Sequence, residues 1–174
     1  NSLIAESRLI SKVYFPRLIV PTSSVIVSAV DFLISLALLG LLMLWYGFAP
    51  SPGILLMPFF FLLATLSALG VGYWLSALNV KYRDFRYIVP FLVQFGLYVS
   101  PVGFSSSVVP GRWRLLYSLN PMVGVIDGFR WCIQGTASSF YLPGFLISAV
   151  VSVLVFASGI WFFRRTERFF ADFI

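Results

Sequence analysis

GILLMPFFFLLATLSALGVGYWLSAL, residues 53–78, contains no charged side chain and no long polar interruption. A helix needs about 20 apolar residues to cross roughly 30 Å of hydrocarbon, and this stretch is long enough. It predicts a membrane-spanning helix. Two more stretches read the same way. Residues 25–48 are apolar apart from one acid, Asp31, and residues 142–163 carry no charge. A fourth stretch, residues 87–104, is shorter and holds Pro90, Gly96 and Pro101.

The composition agrees. Of 174 residues, 60% are hydrophobic and 10% charged, against about 25% charged in soluble domains. The expected fold is therefore all-α: a single polytopic membrane domain over residues 1–174 with about four spanning helices. The segment 105–141 contains Leu119-Asn120-Pro121-Met122, in which Asn is a helix cap and Pro a first-turn residue. The apolar run that follows is too short to span. It reads as a re-entrant helix, with Asp127 and Arg130 three apart on one face.

Charge placement sets the expected orientation. Of the twelve Lys and Arg, nine (Arg8, Lys12, Arg17, Lys81, Arg83, Arg86, Arg164, Arg165 and Arg168) fall on one side. Arg112, Arg114 and Arg130 fall on the other. Positive residues stay in the cytoplasm. That places residues 1–21, the 79–86 connection and the 164–174 tail inside, and 105–141 outside. The chain opens on Asn1, and residues 1–21 read as a loop entered from upstream sequence. Within it, Leu3, Ile10 and Tyr14 share one side and Arg8 and Lys12 another. That pattern suits a helix between membrane and a protein partner, or a plain basic juxtamembrane segment.

Several chemistries are excluded. There is no His and one cysteine, Cys132. An internal disulfide, a His- or paired-Cys zinc site and a Ser-His or Cys-His nucleophile are therefore ruled out. No G-x-x-x-x-G-K-[ST] occurs, so the chain has no phosphate-cradling loop of that kind. The basic residues form no continuous surface of the sort nucleic acid requires.

The remaining candidates are few. Asp31 lies within a span, where a carboxylate faces protein or water. It is either a conduit-lining or proton site, or an interfacial acid held by hydrogen bonds. Asp127 and Arg130 form an ion pair that orients the re-entrant segment, or one exposed to outside water. Tyr73, Trp74 and Tyr98, with Trp45, Tyr46, Trp113, Trp131 and Tyr141, belong to an interfacial aromatic belt or line a path for sugars. Ala64, Ala68, Gly72 and Ser76, spaced by four, are a small-residue face that lets another helix approach.

Four segments together resemble one family. They are Leu9-Ile10-Ser11-Lys12-Val13-Tyr14-Phe15-Pro16-Arg17 followed by Pro21, Asn79-Val80-Lys81-Tyr82-Arg83-Asp84-Phe85, Leu119-Asn120-Pro121-Met122 through Gly128-Phe129-Arg130, and the tail from Phe163 to Ile174. In order and spacing they resemble the permease subunit of type-2 ATP-binding-cassette exporters of polysaccharide or polyol phosphate, of the O-antigen, capsule or teichoic acid type.

The resemblance implies six spans and an N-terminal interfacial helix. This chain would then lack that helix and the first two spans. It implies a homodimer in the bacterial plasma membrane, each copy docked on an ATP-binding subunit that holds ATP and Mg. Leu9, Ile10, Lys12, Tyr14, Phe15 and Arg17 would couple to that ATPase. Lys81, Arg83 and Asp84 would form the second cytoplasmic loop. Asn120, Pro121, Asp127 and Arg130 would lie at the outer gate, and Asp31 falls where relatives often carry an acid. The cargo would be a lipid-linked glycan. Competing readings are a type-2 permease for a drug or lipid, and a polytopic glycan or lipid transferase.

Overall fold

The structure, a computed structural model, describes residues 18–82, 84–135 and 140–167. Helix α1 spans Ile19–Trp45, α2 Met57–Lys81, α3 Phe85–Val99, α4 Gly111–Tyr117, α5 Pro121–Gln134 and α6 Leu142–Glu167. Short 3₁₀ turns at Pro52–Leu56 and Ser106–Val108 lead into α2 and towards α4. The helix α1, the Pro52–Lys81 segment and α6 are each long and apolar enough to cross a membrane.

Helix α1 has 27 residues, about 40 Å at ~1.5 Å per residue. Pro21 sits in its first turn, where the missing N–H had no partner to lose. It starts six residues earlier than the apolar run alone suggests. Its far end is closed by Gly47 at φ +64°. The amide of Gly47 donates to Leu44 and that of Phe48 to Met43, a Schellman cap that stops the helix and turns the chain.

Helices α2 and α6 run parallel, side by side, and form the centre of the fold. A Cβ on Gly159 would stand 2.5 Å from the carbonyl oxygen of Gly70, and one on Gly70 would stand 2.7 Å from the amide nitrogen of Phe156. The two backbones therefore touch. Hydrocarbon gives helices no hydrophobic reason to associate, so close packing and interhelical hydrogen bonds must do it. Both are present. Ser67 Oγ donates to Ser152 Oγ at 2.9 Å, and the Trp74 indole N–H donates to Ser158 Oγ at 3.2 Å.

The small-residue face read from the sequence lies beside this contact rather than in it. Ala64 and Ala68 border a cavity, and Gly72 faces Val25 of α1 at an ordinary 3.8 Å. The tight face instead carries Ser67, Gly70 and Ala77. Close approach needs small residues in register on both helices, and only that face meets Ser152 and Gly159.

Helix α3 differs from the expected 87–104 span. It has 15 residues, none of them buried, and at about 22 Å it is shorter than the hydrocarbon layer. It stops at Val99 because Ser100 precedes Pro101 and takes extended geometry, ψ 146°. The described crossings are thus three long helices and one short apolar one.

Two buried clusters mark the ends of the bundle. Tyr73, Ala77, Val80 and Phe163 pack at the basic end, which carries Lys81, Arg164 and Arg165. Met57, Phe60 and Cys132 pack at the opposite, loop end.

Replacing Gly70 by Ala is expected to lower stability by about 1–3 kcal/mol, because backbone rather than a movable side chain blocks the methyl. Gly72→Ala is expected to be neutral. Thermal unfolding of the two variants in nanodiscs measures the difference, and equal midpoints would contradict the packing described.

Candidate functional site: a loop-end clamp and a polar helix face

The loop end is assembled around α5. Asn120 caps it, its Oδ1 accepting from the Met122 amide at 3.0 Å, with Pro121 at the first helical position. Gly135 at φ +67° ends it. The helix is 14 residues long, too short to cross. It lies against α2 and α6, where Gly128 receives the ring of Phe60 and Gly124 sits on Ser148. The Ser148 hydroxyl accepts from the Gly124 amide at 3.2 Å and donates to the Ser118 carbonyl at 2.8 Å. In addition, the Ser51 amide donates to Ile133, which ties the α1–α2 turn to the same helix.

From this seat α5 reaches across to the end of α3. Arg130 donates from Nη1 to the Phe104 carbonyl at 2.7 Å and from Nη2 to the Val102 carbonyl at 2.9 Å. Asn120 Nδ2 donates to Ser100 Oγ at 3.1 Å. Two of the sequence-derived gate residues therefore clamp the Ser100–Phe104 segment. The Asp127–Arg130 contact is longer, 3.9 Å, so Arg130 is held mainly by carbonyls. Ser100, Val102 and Phe104 were not singled out from the sequence. The Ser-Pro break before a Gly-containing loop was their only signal.

Asp127 is buried, and burial raises its pKa above the ordinary carboxylate value; Ser106, Arg130 and Arg114 oppose the shift, in that order. Burial also pushes up the Tyr117 hydroxyl and the Cys132 thiol.

Between α1, α2, α3 and α5 lies an open cavity of about 1090 Å³. Phe32, Ala68, Val93 and Met122 contribute to an overwhelmingly apolar wall. None of the four candidate lining residues borders it. Tyr73 is packed between Phe156 and Phe163 with its hydroxyl 2.8 Å from Thr22 Oγ1. Trp74 stacks on Phe162 at 4.1 Å. Tyr98 is exposed on α3, and Asp31 is exposed on α1.

Asp31 is not isolated on its helix. Ser24, Ser28, Asp31 and Ser35 follow one another at spacings of four, three and four, which puts them on one face. All four are exposed. Each serine donates back to the carbonyl four residues earlier: Ser24 to Val20, Ser28 to Ser24, Ser35 to Asp31. The carboxylate is the one charged group on this stripe. The spacing was legible in the sequence, but the serines were passed over because a single Ser in a span is unremarked.

At the basic end, Lys81 closes α2 with its ammonium 5.2 Å from the Tyr82 ring, and exposed Asp84 precedes α3. Leu9, Ile10, Lys12, Tyr14, Phe15, Arg17 and Arg83 lie outside the described residues.

A family model described as "ABC-2 type transporter" matches residues 4–134. The chain belongs to the ABC-2 type transporter family. Among its relatives is a protein of Myxococcus xanthus named O-antigen export system permease protein RfbA, 31% identical over 97% of this chain and 66% of that protein. Two Klebsiella pneumoniae proteins of the same name are 24% identical over 98% of the chain, again covering 66% of each. This ABC-2 chain thus spans just under two thirds of the relatives' length. Its three long apolar helices agree with a multi-pass membrane protein of that family.

Arg130→Ala is expected to destabilise by about 2 kcal/mol, since two charge-assisted bonds are lost. Asp127→Asn is expected to change stability by less than about 1 kcal/mol. The raised pKa means the folded chain takes up the Asp127 proton before the unfolded chain does. This group's contribution to stability therefore grows as pH falls through the raised value, and levels off below the ordinary carboxylate value. Thermal midpoints of wild type and Asp127→Asn across acidic pH check this, because the variant lacks that gain.

Proposed function

We propose that the chain is the core of a permease subunit that forms the transmembrane conduit of an exporter for a lipid-linked polysaccharide or polyol-phosphate polymer. ATP, with Mg, is hydrolysed on a separate ATP-binding subunit. The permease works as a homodimer in the bacterial plasma membrane. Family membership and the names of the relatives support this reading. The observation that carries it is the stripe of Ser24, Ser28, Asp31 and Ser35 on a face of α1 that no described residue of this chain covers. A carboxylate among hydroxyls is costly against lipid and is at home beside water or a hydroxyl-rich cargo.

The basic end lies in the cytoplasm, by the charge distribution. The segment around Leu9, Ile10, Lys12, Tyr14, Phe15 and Arg17 docks on the ATPase there, with Lys81, Arg83 and Asp84 in the neighbouring loop. The loop end faces outward. Helix α3 has no buried residue and is tied at the loop end by Arg130 and Asn120, so it is the element best suited to move. Release of the clamp lets it swing while the α2–α6 pair stays rigid. Closure of the ATP-bound subunits supplies the bias between the two positions.

The apolar cavity favours a second reading, a lipid or drug as cargo, since hydrocarbon fits such walls better than sugar does.

One assay separates the two. Asp31→Leu in the full-length transporter is expected to cut surface polymer to under about a tenth, at unchanged protein level, while Asp31→Asn retains most of it. Surface polymer quantified on intact cells gives the answer. Wild-type export by Asp31→Leu would contradict the glycan conduit.

A further inference from the structure

At the loop end, beneath α4, Ser106, Arg114, Tyr117, Asp127, Tyr141 and Gly144 border a small, partly open pocket. Arg114 Nε and Nη2 and Tyr117 Oη are buried here without a hydrogen-bond partner within the described chain, and Ser106 Oγ, whose hydroxyl lies beside the Asp127 carboxylate, makes no well-aligned bond. Ser106 is 2% exposed. Arg114 is held with its guanidinium carbon 4.8 Å from the centre of the Tyr141 ring, a contact that satisfies none of its N–H groups. Such atoms are costly to leave unpaired. The space open to the centre of a water molecule is about 10 Å³. One water needs roughly 10–15 Å³ on that measure, with two to four polar partners. A sugar or a phosphate is far too large.

We propose that this cavity is a binding site for a single ordered water, which accepts from Arg114 and donates to Asp127, with Tyr117 and Ser106 as its further partners. The geometry has a consequence for the clamp. Asp127 also meets Arg130, and Arg130 holds the Val102 and Phe104 carbonyls. The water therefore joins α4 to α5 and, through Arg130, to the end of α3. It turns separate contacts into one connected network.

A dry packing void and a water site respond in opposite directions to the same change. Ser106→Val puts methyl groups into the space. In the full-length protein in nanodiscs, filling a hydrated site leaves Arg114 and Tyr117 unpartnered, and the thermal midpoint is expected to fall by at least ~2 °C. Ser106→Ala, which leaves room for the water, is expected to fall less. A Ser106→Val midpoint equal to or above that of Ser106→Ala would overturn the proposal, because both lose the hydroxyl beside Asp127 and filling a dry void stabilises. Independently, a wild-type map that resolves waters is expected to show one peak within hydrogen-bond distance of Arg114 and Asp127. An empty cavity, or a guanidinium turned directly onto Asp127, would also overturn it.

Discussion

Two parallel helices, α2 and α6, meet backbone to backbone at Gly70 and Gly159, and the other elements are hung on that pair. Lipid tails are as apolar as leucine, so burial alone does not bring helices together in a bilayer. Contact must come from surfaces that fit and from polar groups that find each other away from water. The Gly70–Gly159 approach supplies the first and the Ser67–Ser152 bond the second. Once the pair is set, Phe60 and Ser148 present a fitted floor for α5. Tyr73 reaches from α2 to Thr22 and steadies α1.

Helix α3 meets the pair mainly through α2. None of its residues is fully buried, and its far end is tied to α5 by Arg130 and Asn120. The proposed gating relies on this contrast between a tightly packed centre and a peripheral helix on a polar clamp. The large apolar cavity follows from it, because α3 stands off from α1 and α2 rather than packing into them.

Much of this was legible in the sequence. Long apolar runs gave the three long helices, and Asn120-Pro121 gave both the start and the cap of α5. The end of α3 was misplaced, because hydropathy continues through Val102 and Phe104 while Ser100-Pro101 breaks the helix first. The tight face of α2 was missed for a different reason. Spacing within one helix identifies a face of small residues but says nothing of the register of its partner, and Gly159 decides the matter. Tyr73 and Trp74 read as belt or lining residues because aromatic rings near a span end suit both, yet they pack against Phe156, Phe162 and Phe163, over 80 positions away. Arg130 was identified, but not its role, since backbone carbonyls leave no trace in a residue pattern.

The proposed conduit requires the clamp end and the basic end to lie on opposite sides of the membrane. Single cysteines at positions 112 and 82, in a Cys132→Ala background of the full-length protein, test this directly. Both positions are exposed. With a membrane-impermeant maleimide on intact cells, or on spheroplasts where an outer membrane is present, Arg112→Cys is predicted to label. Tyr82→Cys is predicted to label only after the membrane is permeabilised. Labelling of position 82 from outside, with position 112 protected until permeabilisation, would contradict the account.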